Sequence, residues 1–141
     1  MTPQPPDRDV FRIPILVQEA HIDDLQHVNN VVYLQWVQDV AAAHWQHAAS
    51  EALRKTCAWV VLRHEIDYQV PAVAGDKLIA STWVDAPKGP RQVRHVSIQR
   101  STDGKILARA QSTWCLLDPG TGKPRRISEE IVDAFRLEKG Q

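Results

Sequence analysis

One stretch of helical period lies in a chain that otherwise alternates, and this limits what the chain can fold into. From Asn30 the apolar residues Val32, Tyr33, Trp36, Val37, Val40 and Ala43 recur every three or four positions. That spacing puts them on one stripe of an α-helix. The helix is expected to run to about Ala49, and it is apolar enough to be a central element. Asn29 precedes it and is a favoured N-cap, because its side-chain oxygen can accept a bond from an otherwise unpaired helical N–H.

The remaining segments read as strands. Phe11, Ile13, Ile15 and Val17 share one side of a first strand, and Pro14 marks it as an edge or an interrupted one. Residues 58–70 alternate, which predicts Val60, Leu62, Ile66, Tyr68 and Val70 on one face. Further strands are expected over 77–85, 92–100 and 105–117. Ser101-Thr102-Asp103-Gly104 joins the last two as a hairpin. Turns fill 71–76, 86–90 and 118–126, and a short closing helix over 128–136 is capped by Ser128. A single long helix with mostly antiparallel strands is an α+β arrangement. A chain of 141 residues fits one domain with one core, expected over 11–137 behind a flexible lead-in at 1–10.

Composition excludes several classes. Apolar residues make up 43%, charged residues 24%, and the formal net charge is zero. There is no basic nucleic-acid footprint. No run approaches the roughly 18 apolar residues of a membrane span, and the N-terminus lacks the pattern of a secretion signal. A cytoplasmic location is the default. Cys57 and Cys115 sit in apolar stretches and read as buried free thiols.

The segment between the first strand and the helix, His21 to Asn29, concentrates functional groups: Asp23, Asp24, Gln26, His27 and Asn29, with Asn30 next. A helix N-terminus offers unpaired N–H groups and the positive end of the dipole. A carbonyl placed there is polarised, and a nearby carboxylate can act as general base on water or attack directly. Those ingredients suffice for an activated acyl group, whose thiolate leaves readily. No Gly-x-Ser-x-Gly elbow is present. On composition alone the same residues also read as a plain capping loop.

The run Asp23-x-x-x-His27-Val28-Asn29-Asn30-x-x-Tyr33 resembles the signature of the hot-dog-fold thioesterases, the 4-hydroxybenzoyl-CoA thioesterase-like family and the related plant acyl-ACP thioesterases. Ile66-Asp67-Tyr68, Pro71-Ala72, Gly75-Asp76, the run from Asp103 to Ala108 and that from Asp118 to Pro124 continue the similarity in order. The resemblance implies a hot-dog fold, a curved antiparallel sheet wrapped around one long helix. It also implies hydrolysis of a fatty or aromatic acyl-CoA or acyl-carrier-protein thioester, with no metal or redox cofactor. It assigns Asp23 as catalytic carboxylate, the backbone N–H of Asn30 as the group polarising the carbonyl, and His27 as a further catalytic candidate. Asn29 and Tyr33 fall in the motif as substrate-side residues. Many bacterial members have Gly where Gln26 stands. The acyl-ACP branch has Asn where Leu25 stands, which removes that position from any catalytic set. Such domains pair as homodimers at minimum, and as homotetramers.

Two other readings stay on the same fold: an acyl-CoA-binding or regulatory domain without catalysis, and a thioester hydratase or dehydratase. Hot-dog hydratases carry Gly-Asp-x-Asn-Pro-x-His, whereas Asp23 and His27 are four apart with no Gly-Asp or Asn-Pro.

Among other candidates, His64 is either a hydrogen-bonded core residue or a lining of the acyl pocket from a partner subunit. His44 and His47 share a helix face and read as surface or interface residues. Arg91, Arg94 and Arg100 are exposed strand residues or hold the CoA phosphates, and Arg125 and Arg126 have the same two readings. The five tryptophans read as core or interface packing, one or two of them walling a pocket.

Overall fold

The computed structural model describes residues 5–6 and 9–136. Parts of the expected lead-in (1–4 and 7–8) and residue 137 lie outside the described residues. Strand β1 spans Phe11–Leu16, and a single 3-10 turn follows at Glu19–His21. Helix α1 spans Asn30–Ala48, one-turn helix α2 spans Glu51–Arg54, and strands β2 to β5 cover Ala58–Tyr68, Lys77–Val84, Arg91–Arg100 and Ile106–Leu117. Helix α3, Glu129–Ala134, closes the described chain. The strands form one five-stranded sheet in the order β1-β3-β4-β5-β2, every pair antiparallel.

The alternation explains the layers. Inward residues of the sheet, among them Leu78, Ala80, Val96, Ile98, Ala108 and Ala110, pack against Tyr33, Val37 and Val40 of α1. Each larger aliphatic side chain so buried stabilises by about 1.5–3 kcal/mol. The small alanines beneath the helix let it lie close to the sheet. β1 is an edge strand, as Pro14 requires, since proline lacks the ladder N–H. A second cluster, Leu53, Leu116, Ile127, Ile131 and Phe135, closes the end of the molecule where α1 finishes. Ser128 caps α3, its hydroxyl accepting from the Ile131 N–H at 3.4 Å. α2 was not expected: one turn is too short to show a period, although Ser50 caps it, accepting from the Leu53 N–H at 3.1 Å.

The expected alternation of β2 fails at Leu62. Val61 pairs with Trp114 and Arg63 with Thr113, so Leu62 is an extra residue opposite none. Such a bulge shifts the phase of the strand by one. Trp59 and Val61 therefore face inward before it, and His64, Ile66 and Tyr68 after it. Val60 and Leu62 lie on the outer face, 39% and 50% exposed, rather than sharing a face with Ile66 and Tyr68.

Candidate active site

The loop leading into α1 is a small closed hairpin. Ile22 and Val28 form an isolated antiparallel bridge. Inside it the Asp23 N–H donates to the His27 carbonyl at 2.9 Å, and the Gln26 N–H donates to the Asp23 carbonyl at 3.0 Å. Asp23 Oδ1 accepts from the Leu25 N–H at 2.9 Å, an Asx turn that fixes the carboxylate. Its second oxygen has no hydrogen-bond partner among the described residues. The base of the hairpin is anchored by Val28, 4% exposed, whose N–H donates to the Ala72 carbonyl at 2.9 Å. The Ala72 N–H in turn donates to the Tyr33 hydroxyl at 3.0 Å. Tyr33 thereby ties the 71–72 turn to the first turn of α1, and burial raises its pKa.

Gln26 closes the turn with φ of 64°. In this left-handed region a side chain costs roughly 1–2 kcal/mol, while glycine loses about 0.5–1 kcal/mol of extra chain entropy. That is the physical reason glycine suits this position. Gln26→Gly is expected to leave hydrolysis unchanged and to raise stability by up to about 1 kcal/mol. Gln26→Val, β-branched, is expected to lower it by a similar amount or more. Urea unfolding midpoints of the two variants check both signs.

The start of α1 is capped as expected. Asn29 Oδ1 accepts from the Val31 N–H at 2.9 Å, and its carbonyl accepts from the Val32 N–H at 2.9 Å. The Asn30 N–H meets no acceptor among the described residues. It is thus a free donor at the positive end of a 19-residue helix.

Asp23, His27, Asn29, Asn30 and Tyr33 come together in one cleft of about 370 Å³. Asp23 is half-buried there, whereas Asp24 is exposed and does not line it. The far wall comes from Tyr68, Gln69, Val70 and Pro71. Tyr68 is a site residue the sequence reading missed. It lies 38 positions from Asn30, no local spacing links them, and its hydroxyl donates to the Asn30 carbonyl at 3.2 Å.

Several expected residues lie elsewhere. His64 Nδ1 and Ser112 Oγ are 2.6 Å apart, and burial lowers the His64 pKa. His64 does not line the cleft. Arg91 is exposed at the start of β4, nine residues from Arg100 and so roughly 30 Å of strand away. Arg100 reaches the cleft-lining turn through the Pro71 carbonyl at 3.5 Å, but ion pairs with Asp76 and Asp103 hold it. Arg94 is neither exposed nor placed for CoA phosphates: it is 5% exposed, because it shares the inward face of β4 with Val96 and Ile98. His44 is likewise no surface or interface residue. It is fully buried, stacked on Phe11, with Nδ1 2.8 Å from Arg94 Nη1. Arg125 donates to the Thr56 carbonyl at 2.7 Å. Both cysteines are free, with Cys115 buried and Cys57 only half-buried. Trp36 and Trp83 are buried, while Trp45, Trp59 and Trp114 line a cavity at the other end of α1. Among the described residues, no cluster of three or more His, Cys, Asp or Glu could hold a metal ion. No helix there is long and apolar enough to cross a membrane.

A five-stranded antiparallel sheet packed on one long helix is the hot-dog fold, shared here with thioesterases among the solved structures. YbaW, a probable thioesterase of Escherichia coli, superposes with a TM-score of 0.80 at 25% identity, covering 89% of this chain and 98% of that one. The chain belongs to the acyl-ACP thioesterase N-terminal domain family, whose model matches residues 9–135, and it is a thioester hydrolase. It is 27% identical over 122 residues to the long-chain acyl-CoA thioesterase FadM of Escherichia coli, covering 83% of this chain and 90% of FadM. It is 31% identical over 84 residues to the chloroplastic palmitoyl-acyl carrier protein thioesterase of Gossypium hirsutum, covering 60% of this chain and 20% of that enzyme, a fifth of its length.

Proposed function

We propose that this cytoplasmic hydrolase cleaves a fatty or aromatic acyl-CoA with Asp23 as the catalytic carboxylate and the Asn30 N–H as the oxyanion donor. One observation carries the reading: a half-buried carboxylate held by its own turn and a free N–H at a helix start line the same cleft. With the thioester carbonyl about 3 Å from the Asn30 N–H, the helix end stabilises the charge that develops on oxygen. The unbonded oxygen of Asp23 takes a proton from water as the water oxygen attacks the carbonyl carbon. The tetrahedral intermediate collapses, the C–S bond breaks, and the departing thiolate recovers the proton from Asp23. The products are a carboxylic acid and free CoA. CoA is substrate, and the step draws on no metal or redox group. The exposed imidazole of His27 lines the same cleft. The similarity to FadM favours CoA over a carrier protein, since FadM matches along most of its length.

The same reading includes a homodimer. β2 is an 11-residue strand whose outer edge has no partner strand among the described residues, with Val60 and Leu62 exposed beside it. A long unpaired edge of this kind invites pairing with a second chain. Leu25, 75% exposed at the cleft, and Val31, 72% exposed in the first turn of α1, are apolar surface that a second copy would cover. Release of CoA, trapped by a thiol-reactive dye across acyl lengths and aromatic acyl groups, tests the substrate. Sedimentation tests the assembly, with twice the 15.9 kDa chain mass or a multiple of it expected. A monomer at working concentration, or acyl-CoA bound but not cleaved, overturns the corresponding part.

A further inference from the structure

A cavity of about 180 Å³ lies between the C-terminal half of α1 and the sheet. Trp45, Trp59, Trp114 and Phe135 give it aromatic walls, and half-buried Gln38 and exposed Ala42 line it from α1. Gln92 and Arg94 also line it, but their polar groups are engaged in the protein: Gln92 Nε2 donates to the Asp85 carbonyl at 3.0 Å, and Arg94 Nη1 donates to Thr82 Oγ1 at 2.9 Å. The Trp45 ring meets Trp59 edge-on, with centroids 5.6 Å apart at 81°, and tilts on Phe135 at 5.5 Å. Trp45 and Trp59 also pack against the cluster of Leu53, Leu116 and Ile131. Trp45 therefore closes the cavity at the end where α1 finishes.

Within one chain this cavity is cut off from the Asp23 cleft. Ala41 and Trp45 lie roughly 17–22 Å beyond Asn30 along α1. Tyr33, Val37 and Ile66 pack in between and leave no room for a ligand. In the homodimer proposed above the two come together. Edge strands paired by a two-fold run antiparallel, so the start of β2 in one copy lies opposite its end in the other. Trp59 stands near the start of β2 and Tyr68 at its end. The cavity of each copy then lies beside the Asp23 cleft of the other, and an acyl group attached to a thioester in that cleft can enter it.

We propose that Trp45, as the floor of this cavity, sets the acyl specificity, and that the preferred substrate carries one aromatic ring on a short spacer instead of a long chain. The inference rests on the hydrolysis and the homodimer proposed above and decides between the fatty and the aromatic acyl group. Size carries the first half: an apolar cavity of about 150 Å³ admits benzene, so this one takes on the order of seven or eight carbon atoms. A longer chain meets Trp45 before its carbonyl reaches the Asn30 N–H, and misplacement of the reacting atoms by even ~1 Å is costly in rate. The walls carry the second half. Four aromatic rings offer edge and offset contacts that a ring answers and a flexible chain of equal volume does not.

The test compares kcat/KM of the full chain on phenylacetyl-CoA, hexanoyl-CoA and palmitoyl-CoA. Phenylacetyl-CoA is expected to exceed palmitoyl-CoA by at least about tenfold and hexanoyl-CoA severalfold. Trp45→Ala removes the floor and is expected to raise the palmitoyl rate about tenfold while lowering the phenylacetyl rate. Calorimetry on Asp23→Asn, in which hydrolysis is slowed, reads the cavity apart from the chemistry. Phenylacetyl-CoA is expected to bind that variant about tenfold more tightly than CoA, the scale of one buried aromatic body. Ala42→Leu, added at the exposed lining position, narrows the entrance and is expected to remove this gain; it keeps the test open if Trp45→Ala does not fold. If phenylacetyl-CoA binds with this preference but the parent cuts no thioester, the hydrolysis reading falls and the cavity assignment stands. The proposal is overturned if palmitoyl-CoA is cut as fast as phenylacetyl-CoA, if Trp45→Ala keeps the parent's preference, or if Ala42→Leu leaves the binding gain unchanged.

Discussion

Asp23→Asn is expected to lower kcat for acyl-CoA hydrolysis by a factor of about 10²–10⁴ with little change in KM, the usual weight of a positioned general base. Asparagine suits the test because its side-chain oxygen can still accept the Leu25 N–H, so the turn keeps its shape while the base is removed. Asp24→Ala is expected to stay within about threefold of the parent, the scale of an exposed substitution. The two carboxylates are neighbours in sequence but not in environment. Asp23 is half-buried against the cleft, and Asp24 points to solvent from the tip of the hairpin. CoA release with a thiol-trapping dye measures both. Loss of activity in Asp24→Ala with Asp23→Asn intact would reverse the assignment.

The second large effect is on stability and follows from His44. Burial, the Arg94 charge and His47 push its pKa from the usual 6.5 of a histidine down to about 3. Between those values the unfolded chain binds the proton and the folded chain does not, so stability rises with pH across the interval. The contribution is fully present above about pH 6.5 and is lost as pH falls toward 3. Each unit of pH in that window is worth about 1.4 kcal/mol. From pH 7.5 to pH 5 the protein is expected to lose about 2 kcal/mol through this residue. His64, whose pKa burial also lowers, adds a slope of the same sign. His44→Gln removes the titration yet still offers Arg94 an acceptor oxygen. It is expected to be less stable at pH 7.5 and to lose most of the pH slope. Urea unfolding at the two pH values decides the matter, and an unchanged slope in the variant would remove His44 as its source.

The parts of the fold that were legible in the sequence are those set by neighbours. The period of α1, its Asn29 cap, the edge character of β1 from Pro14 and the Asp103-Gly104 turn each depend on residues within a few positions. What was not legible depends on partners far along the chain. The Leu62 bulge is fixed by pairing with residues 113 and 114, and no pattern within 58–68 signals it. Val37, Val40 and His44 share one helical face, and Arg94 shares its strand face with Val96 and Ile98. Burial of both was therefore readable, but their hydrogen bond spans 50 positions. The cleft divides in the same way. Spacing showed only a polar cap, the resemblance singled out Asp23 and Asn30, and the turn at 68–71 reaches them through tertiary contact.

The Leu62 bulge also bears on how the gene can change length. β2 holds two inside–outside frames, one for Trp59 and Val61 and another for His64, Ile66 and Tyr68. Deleting Leu62 would merge the frames. With the extra residue gone, Val61 opposite Trp114 and Arg63 opposite Thr113 become successive rungs, so His64, Ile66 and Tyr68 keep facing inward and only the local bend is lost. A single codon lost here thus leaves the faces of β2 as they are, as one lost in the 118–126 loop leaves the sheet's register untouched.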